Sequence, residues 1–165
     1  MALHSDSGSD VFCLFALKSN NMVLKLFRAV WFLSVLVVLA NLLFVYASLP
    51  EVVVIQSGDE VSIGREWFFY VALVIIVGVN TLVYLFRWLF PGRDDVRTWF
   101  HGLVITVNVF FIVALQALAV YNSNEVFDHS LAGIYLTGSL VLILLWAAAW
   151  PAYLFAQRFF VNQAV

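Results

Sequence analysis

The sequence predicts an all-α membrane protein: a bundle of four transmembrane helices with a short extracytoplasmic β-hairpin between helices 1 and 2. Hydrophobic residues make up 64% of the 165 residues and charged residues only 11%, a balance outside that of soluble domains. The apolar residues form four long runs, each close to the ~20 residues that cross a bilayer. Most of the Lys and Arg residues fall on one side of the resulting topology, as the positive-inside rule requires.

Residues 1–22 are interpreted as an N-terminal tail, because polar residues dominate up to Asp10 and the apolar run that follows is short. The segment does not read as a secretory signal, since it carries Asp6 and Asp10 but no Lys or Arg before the apolar run. Two interpretations stay open, a flexible or interfacial tail and a helix on the membrane surface. Met22 is an alternative to Met1 as the native start.

A single transmembrane domain is predicted over residues 23–160, followed by a C-terminal tail at 161–165. Trp31 in the first span is expected at the cytoplasmic membrane interface, where Trp and Tyr are enriched. Pro50 ends this span, since the residue before a proline disfavours the α conformation, and Pro151 either ends or kinks the fourth. The predicted spans are about residues 26–48, 67–88, 99–121 and 130–150.

The loop at residues 51–64 has the pattern of a β-hairpin. Two β-branched runs flank Ser57, Gly58, Asp59 and Glu60, and Gly58 can adopt the positive φ of a tight turn. Because an isolated two-stranded hairpin is marginal in water, we expect it to pack on the helix ends or on a partner. The loop is mostly acidic, which indicates the external side.

The charged turn between the second and third spans sets the predicted topology. Arg87, Arg93 and Arg97 surround Pro91-Gly92, so this turn is expected in the cytoplasm together with both termini. The predicted location is the bacterial inner (plasma) membrane. Only Arg65 lies on the external side, and the basic residues on the cytoplasmic side are Lys18, Lys25, Arg28, Arg87, Arg93, Arg97 and Arg158.

The spans carry neutral polar residues but no ionisable residue near their middle, which argues against a proton-coupled pump. Asn80 and Asn108 lie at nearly one depth and are predicted to bond each other; the alternative is that each bonds its own helix backbone. Gly133 and Thr137 form a small-xxx-small pair, for packing within the bundle or against another membrane protein. The residues predicted to serve intramembrane polar packing are Asn41, Asn80, Asn108, Gln116 and Thr137.

No catalytic, cofactor-binding or metal site is predicted. His101 and His129 fall at opposite ends of the spans and His4 in the tail, so no two share a haem. Asp94-Asp95 is interpreted as a solvated turn with local ion pairs, because no base or nucleophile accompanies it. No stretch is basic enough to predict nucleic-acid binding. The expected partners are therefore the lipid bilayer and another membrane protein or a second copy of this chain.

The run Tyr-Ala-Ser-Leu-Pro-Glu-Val-Val-Val at residues 46–54, followed by Gly58 and a basic residue at Arg65, resembles a known opening. It is similar to the first hairpin of the SdpI-type family of small bacterial immunity and signalling membrane proteins, over about residues 30–70. This chain has Gln56-Ser57 where that family has a His-Asn stretch, and an arginine where a lysine is usual. The resemblance implies an outer hairpin that meets an extracellular toxin or signal.

The sequence therefore predicts a non-enzymatic integral membrane protein, an accessory or scaffolding subunit that acts through helix–helix contacts. The alternative is an SdpI-like immunity or sensing protein, and a small channel or transporter is the third interpretation.

Overall fold

The computed structural model describes the backbone of residues 7–56, 61–123 and 129–161, and the side chains of residues 22–55, 62–123, 133–153 and 156. Long helices dominate it, and a two-stranded antiparallel sheet follows the first helix. The elements are α1 (Ser7–Ser48), β1 (Val52–Gln56), β2 (Val61–Gly64), α2 (Arg65–Leu89), α3 (Asp94–Tyr121) and α4 (His129–Val161).

Four helices are long and apolar enough to cross a membrane, which confirms the predicted fold class of a multi-pass membrane protein. Each candidate span extends the predicted one or overlaps it closely. The candidate spans are Met22–Ser48, Arg65–Leu89, Asp94–Tyr121 and Gly133–Tyr153.

Two helices extend beyond their predicted ends. The helix of the first span begins at Ser7, so the segment interpreted as a tail is helical from that residue onward. The sequence contains no Gly or Pro from residue 9 to residue 49 that would interrupt the helix. In α4, Pro151 lies inside the helix, which continues to Val161. Neighbouring helices and local adjustment of the backbone allow prolines within membrane helices.

The predicted hairpin is confirmed in its strands, whereas Ser57, Gly58 and Asp59 of its turn lie outside the described residues. Val53 pairs with Ile63 and Val54 with Ser62, and the register is irregular between Val54 and Gln56. Val53 is fully buried and belongs to the same apolar cluster as Val45 and Leu49 at the end of α1. The hairpin is therefore supported by the helix ends, as expected of a sheet with only two strands.

Within the described residues, α1 and α3 form the most extensive helix–helix interface, and α2 packs against both. α1 and α3 run in the same direction because α2 crosses back between them. α2 turns into α3 through Gly92, whose φ of 81° is a left-handed conformation that suits glycine. α4 packs on α3. The buried core cluster consists of Val38, Leu42, Val45, Leu49, Val53, Ile76 and Leu115.

Candidate functional site

A buried polar layer joins α1, α2 and α3 within the membrane-spanning part of the bundle. We define the polar layer as Trp31, Ser34, Asn80 and Asn108. Asn80 Nδ2 donates to Asn108 Oδ1 at 2.9 Å, and Asn108 Nδ2 donates back to Asn80 Oδ1 at 3.0 Å. The two carboxamides thus form a reciprocal pair, which confirms the predicted approach of these side chains. Asn108 is completely buried and Asn80 is 6% exposed.

The remaining hydrogen-bonding groups of the pair are also used. The second amide hydrogen of Asn80 goes to Ile76 O of its own helix at 2.9 Å, so the backbone alternative holds for Asn80 but not for Asn108. The second amide hydrogen of Asn108 goes to Ser34 Oγ at 2.9 Å, and Ser34 Oγ donates to Trp31 O at 2.7 Å. Complete hydrogen bonding of these amides matters in the membrane interior, because no water molecule can replace a missing partner there.

The side chain of Trp31, which is predicted to lie near the cytoplasmic membrane interface, is turned into the bundle. Its side chain is 7% exposed, and its indole N–H donates to Asn80 Oδ1 at 2.9 Å. The ring meets His101 edge-on, with centroids 5.8 Å apart and planes at 90°. Trp31 is thus a buried donor of the polar layer.

A second polar contact lies nearer the hairpin. Gln116 Nε2 donates to Asn41 Oδ1, and Asn41 Nδ2 lies 3.4 Å from Ile112 O. The contact joins α1 to α3, and four of the predicted packing residues (Asn41, Asn80, Asn108 and Gln116) therefore bond across helices.

Thr137 is the exception among the predicted packing residues. Its side chain is exposed on α4, and so is the backbone of Gly133. A Cβ built on Gly133 meets no atom within 4 Å. The prediction that this small-residue pair packs within the bundle is therefore wrong, because the pair lies on a face of α4 that points away from α3.

The side chain of Asn122, just after α3, holds the hairpin. Its Oδ1 accepts from the backbone N–H of Val54 at 2.8 Å, and its Nδ2 donates to Val54 O at 3.1 Å. The carboxamide thereby pairs with both backbone groups of one strand residue, as a neighbouring strand does. This Asn122 clasp was not predicted, because the residue reads as part of a polar external loop.

Arg65 fixes the base of the same hairpin. Its backbone N–H donates to Glu51 O at 3.0 Å, and its Nη1 donates to Leu49 O at 3.2 Å. The guanidinium carbon lies 5.0 Å from the centroid of the Tyr46 ring, a cation–π contact. The basic residue on the predicted external side is thus tied to the end of α1.

Replacing Asn122 by alanine is expected to loosen the hairpin from α3. Loss of two hydrogen bonds at a partly exposed site lowers the local stability by about 0.5–1.5 kcal/mol. Hydrogen exchange of the amides around Val54 measures this as faster exchange. Ser123→Ala is the control, since the Ser123 hydroxyl donates only to Val120 O of its own helix. Equal exchange in the two variants would exclude the clasp.

The residues of the charged turn lie together at the opposite end of the bundle. Arg97 Nη1 forms a salt bridge with Asp94 Oδ1 at 3.0 Å, and Nη2 donates to Arg87 O at 3.1 Å. Arg93 and Asp95 are exposed. The local ion pair agrees with the interpretation of Asp94-Asp95 as a solvated turn.

The Trp99 and Trp146 side chains attach α4 to α3. Each indole N–H donates to the backbone carbonyl of the other residue at 2.9 Å. Gly102 makes this possible, because a Cβ at that position would lie 2.1 Å from an atom of the Trp146 ring. This joint between α3 and α4 was not predicted from the sequence. A glycine one turn from a Trp on one span, with a Trp on the next, was the available signal.

No protein-family model, curated protein or solved structure matches this chain. The similarity to the SdpI-type hairpin thus stays a resemblance. What the fold defines is a class, a multi-pass integral membrane protein with an extramembrane β-hairpin. Within the residues that the structure describes, no group of three or more His, Cys, Asp or Glu residues is placed to hold a metal ion.

Proposed function

We propose that this chain is a non-enzymatic accessory or scaffolding subunit of a membrane complex, and that α4 supplies the contact with its partner. The observation that carries the proposal is the one-sided packing of α4, which rests on α3 and exposes a wide apolar face. Gly133, Thr137 and Gly138 lie on exposed positions of this helix, and neither glycine has an atom near its Cβ position. Small residues of this kind let another membrane helix approach closely.

The interior of the bundle supports the same function. Its asparagine and glutamine side chains form hydrogen bonds between α1, α2 and α3, which fixes the mutual register of three helices. A rigid three-helix core with a fourth helix on one side suits a subunit that offers the exposed face of α4 to a partner protein. The partner is another membrane protein or a second copy of this chain.

The test is native purification of the full chain in mild detergent, with cross-linking and identification of the cross-linked partner. Leucine at Gly133 and Gly138 is expected to abolish the cross-linked species, because the added side chains prevent close approach of a partner helix. Gly78→Leu is the matched control, since Gly78 lies exposed in α2 and also has open space around its Cβ position. Equal cross-linking in all three proteins would contradict the proposal.

The Asn122 clasp favours a second function, an SdpI-like immunity or sensing protein. A ligand that binds the outer hairpin would act on α3 through the bonds between Val54 and Asn122. Deleting residues 51–64 distinguishes the two functions. A sensor loses its response to the toxin or signal, whereas a scaffolding subunit still assembles with its partner.

The proposed orientation places both termini and the charged turn in the cytoplasm of a bacterial cell. It predicts opposite labelling of two exposed positions, Ser123 and Asp95, in a Cys13→Ala background. A cysteine at Ser123 is expected to react with an impermeant thiol reagent in intact spheroplasts, while a cysteine at Asp95 reacts only after permeabilisation. The reverse pattern would invert the topology. The physical reason is the excess of Arg and Lys at the Asp95 end.

A further inference from the structure

A small cavity lies between α1, α2 and α3 at the end of the bundle that carries the charged turn. Its volume is about 70 Å³, whereas about 10–15 Å³ suffices for one water molecule. The walls include the buried side chains of Trp31 and His101, directly below the charged residues. The cavity has therefore room for a group larger than water at the boundary between the bundle and its charged surface.

Each of the three helices contributes one arginine to this cavity. Arg28 comes from α1, Arg87 from α2 and Arg97 from α3. Within the described part of the chain, Arg97 has a carboxylate partner in Asp94, while Arg28 and Arg87 form no salt bridge. The cavity is thus lined by three arginines, of which only Arg97 has a carboxylate partner among the described residues, so its lining carries an excess of positive charge.

Arg97 supplies a second and independent observation. Its two terminal nitrogens are bonded to Asp94 and to the backbone of Arg87, but its Nε is buried and has no hydrogen-bond partner. A buried guanidinium N–H without an acceptor is unfavourable, because its bond to water is lost and not replaced. An acceptor oxygen bound beside Arg97 would satisfy this donor.

We propose that this cavity binds a phosphate group. Guanidinium groups present planar sets of N–H donors that match phosphate oxygens, which makes Arg the preferred residue for such recognition. Basic pockets between transmembrane helices are typical sites for anionic lipid headgroups. The bound group is the phosphodiester of an anionic membrane lipid or free inorganic phosphate, two sources that share the same oxygen chemistry.

The test uses the full chain in neutral detergent micelles and measures the binding of three ligands. Native mass spectrometry follows binding of dioleoylphosphatidylglycerol and, for comparison, the zwitterionic dioleoylphosphatidylcholine. Intrinsic Trp fluorescence, to which Trp31 in the cavity contributes as one of six tryptophans, follows titration with inorganic phosphate against chloride at equal ionic strength. Saturable binding of phosphatidylglycerol alone identifies a lipid site, and saturable binding of inorganic phosphate identifies a site open to free anions; both outcomes support a phosphate site.

Arg28→Gln and Arg87→Gln are each expected to weaken binding about fivefold, the factor that one guanidinium near an anionic headgroup contributes. Both residues are exposed, and thermal unfolding without ligand checks that each variant folds. Arg93→Gln is the matched control, because Arg93 is exposed on the same turn but does not line the cavity. The proposal is overturned by an equal loss in Arg93→Gln. It is also overturned if inorganic phosphate shows no saturable binding and phosphatidylglycerol binds no better than phosphatidylcholine.

Discussion

Replacing Gly102 by alanine is expected to lower the free energy of unfolding by about 1–3 kcal/mol, the range measured when a well-packed site is overfilled. The added Cβ would lie 2.1 Å from Cζ2 of Trp146, inside van der Waals contact. The Trp146 ring must therefore move, and the reciprocal bonds between Trp99 and Trp146 break with it. Unfolding of the chain in mixed detergent micelles measures the loss.

Gly78→Ala is the control for this prediction. Gly78 lies within α2, and a Cβ there meets no atom within 4 Å. Alanine is a better helix former than glycine by about 1 kcal/mol, so Gly78→Ala is expected to leave the stability unchanged or to raise it slightly. A second variant, Trp146→Ala combined with Gly102→Ala, should cost less than the sum of its parts, because the overlap is gone. If Gly102→Ala behaves like Gly78→Ala, the joint between α3 and α4 is wrongly described.

Replacing Asn108 by leucine is expected to destabilise the bundle by about 1–3 kcal/mol, the cost of leaving buried polar partners unsatisfied. Asn108 is fully buried and forms two reciprocal hydrogen bonds with Asn80. In the membrane interior, no water molecule can replace these bonds when they are lost. Its loss leaves one amide hydrogen and part of the oxygen of Asn80 without a partner. Leucine is chosen because its side chain has the same branched skeleton of four heavy atoms as asparagine, so no cavity is left.

The double variant Asn80→Leu with Asn108→Leu separates this interaction from general packing. Removing both partners takes away the amide groups that each single change leaves unpaired within the Asn80–Asn108 pair, while the Trp31 N–H loses its acceptor equally in Asn80→Leu and in the double variant, so the costs should not add. We expect a coupling of at least about 0.6 kcal/mol, the average for hydrogen bonds between membrane helices. Thr81→Val is the control, since the Thr81 hydroxyl is exposed and donates to Val77 O of its own helix. Additive costs for the two asparagines would contradict the paired geometry.

The sequence determined the membrane class, the four spans and the strands of the hairpin. The physical reason is that each follows from a local quantity: the length of an apolar run against the thickness of the bilayer, and the alternation of β-branched residues around a Gly-containing turn. The depth of Asn80 and Asn108 is also local, since it is counted along each helix at ~1.5 Å per residue. Their hydrogen bond was predictable for that reason.

Only the tertiary structure decided which face of each helix points inward and which helices meet. The spans are apolar on nearly all sides, and lipid is as apolar as leucine, so the sequence offers no polar stripe that marks the outer face. Trp31 therefore turned out to be buried, and Thr137 exposed. The pairing of α1 with α3, the insertion of Trp146 against Gly102 and the Asn122 clasp join residues far apart in the chain. Such contacts depend on close packing and on hydrogen-bond partners that only the assembled helices bring together.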